Sequence, residues 1–395
     1  MSGVAESARY SEAPSHPERV RVCIVAPSLA ILGGQAVQAQ RLLKRLSEIQ
    51  SLRVAFLPVN PRLPGILASL QRVKFVRTVV TSVAYTATLF RRLRSYDVVH
   101  VFSASYWSFV LAPLPAMIVA KLYGRKVVLN YRSGEAEDHL RRWRMVALPA
   151  MRLADEIVVP SQYLVDVFST FGLHAIAIPN FVELEALPYR DRAQALGSQP
   201  VFLSNRNLEP MYNVACVLRG FAVIQRRLPQ ARLIVAGFGS EEARLRELAR
   251  TLALTNTEFT GRLRPEDMSR LYDRADVYLN APDIDNMPGS VLEAFAAGVP
   301  VVTTNAGGIP YIVKDGMTGL VVARDDAQAL AAAALRLVDE PNLVRDLTSR
   351  ARAECVSRYV WPAVRREWEA LYHGLFLHAV LSKSSRTLDA HAAAK

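Results

Sequence analysis

Cysteine is scarce in this chain: Cys23, Cys216 and Cys355 are scattered across 395 positions. Their spacing matches neither a disulfide framework nor a metal cluster, and it fits a reducing compartment. None of the seven histidines stands in an H-x-x-x-H or H-E-x-x-H arrangement, so no metal and no other cofactor is expected. No G-x-S-x-G elbow makes a nucleophile of Ser105 or Ser161, which leaves hydrolase chemistry unsupported. No apolar run has bilayer length; "TVVTSVAYTATLF" (78–90) falls short. The start, "MSGVAESARYSEAPSHPERV", lacks the apolar stretch of a secretory signal, so a cytoplasmic location is expected. Acid is missing too: between Glu48 and Asp97 there is no Asp or Glu, while Arg53, Arg62, Arg72, Lys74, Arg77, Arg91, Arg92 and Arg94 all fall there.

What is present is a globular composition, 51% hydrophobic and 21% charged, with a net charge of +12. Residues 1–185 hold 22 basic and 13 acidic side chains, a net of +9, and the remainder holds 26 and 23, a net of +3. Such asymmetry suits an anionic membrane surface or an anionic substrate. Nucleic acid is not expected, since no recognised nucleic-acid module accompanies the charge. In segment 49–96 the cations are interleaved with Phe75, Val76, Val79, Val80, Tyr85 and Leu89. Two readings stay open: an amphipathic surface lying on anionic lipid, or a helix covering a sheet with a solvated basic face.

Short β-branched runs alternate with helix-like segments throughout. The first series is 20–28, 52–59, 97–103, 126–132 and 156–161. After a Pro/Asn-containing passage at 177–200 the rhythm restarts at 201–207, 231–238, 257–262, 276–282, 300–305 and 318–323. Unbroken apolar strands between helices imply parallel sheets buried on both faces. Two series imply an α/β protein of two doubly wound, Rossmann-like domains facing across a cleft. The expected organisation is a disordered leader (1–18), a first domain (19–185), a second (186–358), a helix returning to the first domain (359–378) and a loose tail (379–395). The stripe Trp361, Val364, Trp368, Leu371 and Leu375 supplies the apolar face of that helix.

The most informative stretch is "DNMPGSVLEAFAAGVPVV" (285–302). Its "SVLE" reads as a capping box, with Ser290 at the N-cap and Glu293 three residues on, and Gly298 ends the helix. A helix start at the carboxyl edge of a parallel sheet also offers free amides and a positive dipole to a diphosphate, with Asp285 and Glu293 placed to hold hydroxyls beside it. Arg206 in "LSNRNLEPMYNV" stands at the same edge, where its guanidinium either clamps a phosphate or makes a surface salt bridge. The turns with Gly33 and Gly34, and with Gly237 and Gly239, precede helices and suit a phosphate or a plain turn. None is a G-x-G-x-x-G or P-loop fingerprint.

Taken in order, "GGQAVQAQRL", "DVVHVFS", "VPSQYLVDVFSTFGL", "AIPNFVELEAL", "AGFGSEEARL", "FTGRLRPEDMSRLYDRADVYLNAP" and the 285–302 stretch resemble family 4 retaining glycosyltransferases of the GT-B fold, over about residues 20–375. There the family carries E-x7-E followed by A-x-x-x-G-x-P-V-V, and this chain has Asp in the first acidic place. The resemblance implies a second domain that binds a nucleotide sugar, with UDP- or GDP-sugars foremost, and a glycan or lipid-linked acceptor. The basic first domain suggests peripheral docking on the cytoplasmic face of an anionic inner membrane to meet a lipid-linked one. It implies that Glu293 holds the ribose and that the backbone at Ser290 and Val291 cradles the diphosphate. Asp285, Asn286, Met287, Pro288 and Gly289 would line the sugar, Arg206 would offset charge on the departing diphosphate, and Arg262 and Leu263 would edge the base. Gly33 and Gly34 would reach across the cleft, Gly237 and Gly239 would serve the donor, and Arg132, Ser133 and Gly134 would meet sugar or acceptor. Besides Asp285, three positions depart from the pattern: Met211 where a phosphate-binding Lys is common, Arg132 where a His is common, and Tyr311 where Glu is common. Two other readings accompany this one: a non-catalytic sugar-nucleotide-binding or scaffold protein of the same fold, and a nucleotide-sugar epimerase.

Overall fold

A computed structural model describes residues 19–28, 34–61, 74–192 and 199–393. The leader 1–18 and Gly33 lie outside the described residues. The first sheet comprises β1 (Val20–Ala26), β2 (Leu52–Pro58), β3 (Val98–Ser103), β4 (Lys126–Tyr131), β5 (Glu156–Val159) and β6 (Ile176–Ala177), in the order β2-β1-β3-β4-β5-β6. The second comprises β7 (Val201–Ser204), β8 (Arg232–Ala236), β9 (Thr257–Gly261), β10 (Val277–Asn280), β11 (Val301–Thr304) and β12 (Leu320–Val322), in the order β12-β11-β10-β7-β8-β9. Every pairing within the two sheets is parallel.

The unbroken apolar runs form strands because both faces are covered: β3 and β10 are buried at every position. One face of the first sheet packs Val99, Val101, Val127 and Leu129 under Tyr85, Leu89 and Met117 of its helices. The opposite face packs Val20, Val22, Ile24 and Phe102 against Trp361, Val364, Trp368 and Tyr372. The helix Trp361–Ala393 thus closes the first sheet although it follows the second in the chain. It does not stop near 378. It continues to Ala393, because beyond Pro362 its sequence carries no proline, and its Leu, Lys and Ala residues propagate a helix readily.

Each sheet reverses its winding direction once, between β1 and β3 in the first and between β7 and β10 in the second. Crevices open at such points beyond the carboxyl ends of the strands. The segments that follow β7 and β10 carry Arg206 and the 285–289 loop, so topology alone brings those residues together.

Candidate active site

The helix Gly289–Ala297 begins at the carboxyl edge of the second sheet and ends at Gly298, with φ +71°. Its start corrects the capping-box expectation. Pro288 is the N-cap, and no side chain caps the helix. Ser290 lies inside the first turn instead, and its Oγ accepts a hydrogen bond from Arg206 Nη1 at 3.0 Å. Glu293 accepts from Arg41 Nη2 at 2.8 Å and from Tyr272 Oη at 3.0 Å. Both side chains are drawn away by partners distant in sequence, so neither closes the amides at the helix start.

Arg206 lies against Asp285, Nη2 to Oδ2 at 2.5 Å, with side-chain exposures of only 10% and 11%. Its guanidinium stacks over the Tyr212 ring at 4.1 Å, and its Nε is buried with no partner. Burial works against both charges and raises the Asp285 carboxyl, while the facing carboxylate helps hold Arg206 above its ordinary value. We take the pair as ionised, because direct contact offsets a desolvation that neither charge could bear alone. Arg206 is therefore neither a free clamp nor a surface ion pair. It is a buried cation, pre-set by Asp285 and Ser290, with one N–H unspent.

The 285–288 loop is pinned from both domains. Asn286 Nδ2 donates to the Arg132 carbonyl at 2.9 Å, and Asn180 Nδ2 donates to the Met287 carbonyl at 2.9 Å. Gly134 packs against Ile284 and Asp285 so closely that a Cβ there would touch Ile284 at 3.0 Å. Asp285 Oδ1 accepts from the Asn286 amide at 2.8 Å. Ser133 stays on its own side of the cleft, its Oγ accepting from the Glu135 amide at 3.2 Å. Arg132, Gly134, Asp285, Asn286, Met287, Pro288, Gly289, Ser290, Val291, Glu293 and Arg206 thus form one constellation around the helix start.

Other expected residues sit at its margin. Gly34 opens the helix Gly34–Ser47, which carries Gln38 to the vicinity of Gly289 and Arg41 to Glu293. At Gly237, φ is +147° and a Cβ would collide with the Arg206 carbonyl; at Gly239 it would collide with the Leu208 carbonyl. Their immediate role is to let the chain after β8 approach the Arg206 segment. Arg262 is exposed and stacks over Phe238 at 4.5 Å, while Leu263 packs partly against the second core. Met211 offers its carbonyl to the Asp283 amide at 2.9 Å, and Tyr311 Oη donates to Asp166 at 2.8 Å across the cleft.

Sequence reasoning missed Arg41, Asn180, Tyr272 and the pair Gly307–Gly308. The two glycines carry a local signal, a Gly-Gly dipeptide after a strand. A Cβ on either would collide with the carbonyl of Asp285 or Asn286. Among the described residues no group of three or more His, Cys, Asp or Glu side chains is arranged to hold a metal ion, and no helix is long and apolar enough to cross a membrane.

Two family models match the chain: Glycosyltransferase Family 4 over residues 32–186 and Glycosyl transferases group 1 over residues 189–354. Among curated proteins, glycogen synthase of Mycobacterium tuberculosis is 28% identical over 289 residues, spanning 70% of this chain and 68% of its own. The GDP-mannose-dependent monoacylated alpha-(1-6)-phosphatidylinositol monomannoside mannosyltransferase of Corynebacterium glutamicum is 29% identical, over 65% and 72%. Among solved structures, sucrose-phosphate synthase from Thermosynechococcus elongatus superposes with TM-score 0.73 at 19% identity, over 91% of this chain and 100% of its own. Anabaena HepE, in complex with UDP and glucose, gives 0.70 at 18%, over 89% and 99%. At these identities the structural likeness establishes the GT-B fold.

Proposed function

The chain belongs to the family 4 glycosyltransferases, and from that premise we propose a retaining, metal-independent enzyme that moves a sugar from a UDP- or GDP-sugar to a glycan or lipid-linked acceptor. The observation that carries this reading is the uncapped start of the helix Gly289–Ala297, facing a buried arginine that still has a free Nε–H. Negative charge builds on the diphosphate as its bond to the sugar C1 breaks. Preorganised amides and a guanidinium aimed at that charge stabilise the transition state. The acceptor oxygen bonds to C1 from the face the diphosphate leaves, and its proton passes to a departing phosphate oxygen. The chain's residues bind, orient and neutralise; none need form a covalent intermediate. Glu293 offers carboxylate oxygens for the ribose hydroxyls once Arg41 yields. Proteins similar to this chain support either nucleotide, GDP-mannose in one and UDP in another.

A thermal-shift screen of UDP-, GDP-, ADP- and dTDP-sugars tests the donor. A ligand at 100 times its Kd stabilises by about 2.7 kcal/mol, and Glu293→Ala should lose that gain. Anomeric retention in the NMR spectrum of the product and turnover undiminished by EDTA are expected. No stabilisation or hydrolysis with any donor would overturn the proposal in favour of a scaffold.

The acceptor side supports attachment to an anionic bilayer at the cytoplasmic face of the inner membrane. Helix Lys74–Arg92 buries Tyr85 and Leu89 against the first sheet but turns Val76, Val79, Val83 and Phe90 outward, the middle two 64% and 65% exposed. Leu122 of the neighbouring helix Pro113–Leu122 is also exposed, and no acidic residue occurs in 49–96. Exposed apolar residues beside unopposed arginines suit an anionic lipid interface. Flotation should show binding to anionic vesicles that weakens in high salt; no binding at low salt would sink the idea.

A further inference from the structure

Among the described residues Arg132 has no counter-charge. Its guanidinium stacks over Phe102 at 5.4 Å and makes one hydrogen bond, Nη1 to Asn130 Oδ1 at 3.1 Å. Among the described residues no carboxylate lies within ion-pair distance of it. Three other arginines along the cleft differ: Arg206 is paired with Asp285, Arg41 with Glu293 and Arg45 with Glu183. Burial pulls the Arg132 guanidinium down to about 10, which still leaves it charged at neutral pH.

The partner that holds Arg132 is itself held. Asn130 Nδ2 lies 3.0 Å from His100 Nε2, and His100 Nδ1 lies 2.7 Å from Tyr372 Oη. His100 is wholly buried, and burial lowers it to about 3, so it is neutral and its ring has one donor and one acceptor. Since Asn130 Nδ2 can only donate, Nε2 accepts and the Nδ1–H donates to Tyr372. The Asn130 oxygen is thereby fixed toward Arg132. A neutral buried relay running from the helix Trp361–Ala393 through β3 to β4 thus holds a cation in place without neutralising it. A partly buried charge with no counter-ion is unfavourable, and a rigid one is pre-set for an ion from outside.

Its position indicates which ion. The Arg132 carbonyl binds Asn286, and Gly134 touches Asp285, so the residue abuts the loop assigned to the sugar. With Gln38, Asn180 and Phe102 it lines a small cavity beside the helix Gly34–Ser47. The amides and Arg206 assigned to the diphosphate belong to the opposite domain. We propose that Arg132 determines specificity by receiving a second oxyanion on the substrates, beyond the donor's diphosphate: a carboxylate on the transferred sugar or an acidic group on the acceptor. This rests on the donor placement under Proposed function.

The test uses the full chain and matched ligands, UDP-glucuronate against UDP-glucose and GDP-mannuronate against GDP-mannose, with inorganic phosphate added to protein saturated with UDP or GDP. If the anion is on the sugar, the uronate of one pair should bind at least tenfold more tightly than its neutral partner. If it is on the acceptor, the pairs should bind alike and phosphate should bind the nucleotide-loaded protein. In either case Arg132→Gln should erase the effect while its response to the nucleoside diphosphate alone persists, and Arg132→Lys should retain part of it. Equal binding within both pairs together with no phosphate binding would overturn the inference, as would a preference that survives Arg132→Gln. Failure of every nucleoside diphosphate to bind would instead overturn the donor assignment and this inference with it.

Discussion

Arg206→Ala should lower kcat by a factor of 10²–10³ and at the same time destabilise the second domain by roughly 3–5 kcal/mol. The first effect is the loss of a guanidinium aimed at charge developing on the leaving group. The second arises because Asp285, 11% exposed, would be left as a buried carboxylate without its partner. The two effects separate in the double variant Arg206→Met with Asp285→Leu. Removing both charges should restore most of the midpoint in chemical denaturation while turnover stays lost. If the double variant is as unstable as the single one, the lost stability does not come from leaving Asp285 unpaired. If Arg206→Ala keeps full turnover, the proposed role in catalysis fails.

The same pair shows what local sequence could and could not convey. Strands were legible because their signal is local: an unbroken apolar run such as "DVVHVFS" says that both faces are buried whatever the partner is. β6, two residues long within a Pro- and Asn-containing passage, has no such run and went unread. The partners of the 285–302 stretch were not legible locally. Arg206 is 79 residues from Asp285, and Arg41 is 252 from Glu293. From the local text alone, Ser290 and Glu293 were best satisfied by each other as a capping box. Tertiary contacts outbid that arrangement, and the helix start stayed open. Arg132 is a related case: its position could be read, but its lack of a counter-charge appears only when the cleft around it is assembled.

Gly308→Ala should abolish donor binding although it removes no group that would touch the donor. Gly307 and Gly308 follow β11 and pass directly under the 285–286 backbone, where the Gly308 amide donates to the Asp285 carbonyl at 3.0 Å. A Cβ on Gly308 would run into the Asn286 carbonyl, and one on Gly307 into that of Asp285, with φ at Gly307 of +47° adding backbone strain. The methyl must push the loop outward, since the alternative is to shift β11, whose residues are fully buried. Overpacking of this kind costs about 1–3 kcal/mol, which a chain of this size survives. Activity is far more sensitive, because displacing a positioned group by 1 Å can cost on the order of 10²-fold. The variant should therefore remain folded, with a modest fall in melting temperature, while donor-induced stabilisation and turnover disappear together. Gly308 has φ −83°, so its variant carries the collision without backbone strain. At Gly316, where φ is +67° and no atom lies within 4 Å of the added methyl, the control Gly316→Ala carries strain without collision. If Gly316→Ala impairs donor binding as much as Gly308→Ala, global destabilisation is responsible. If only Gly308→Ala does so, contact with the Asp285 loop holds the site in register.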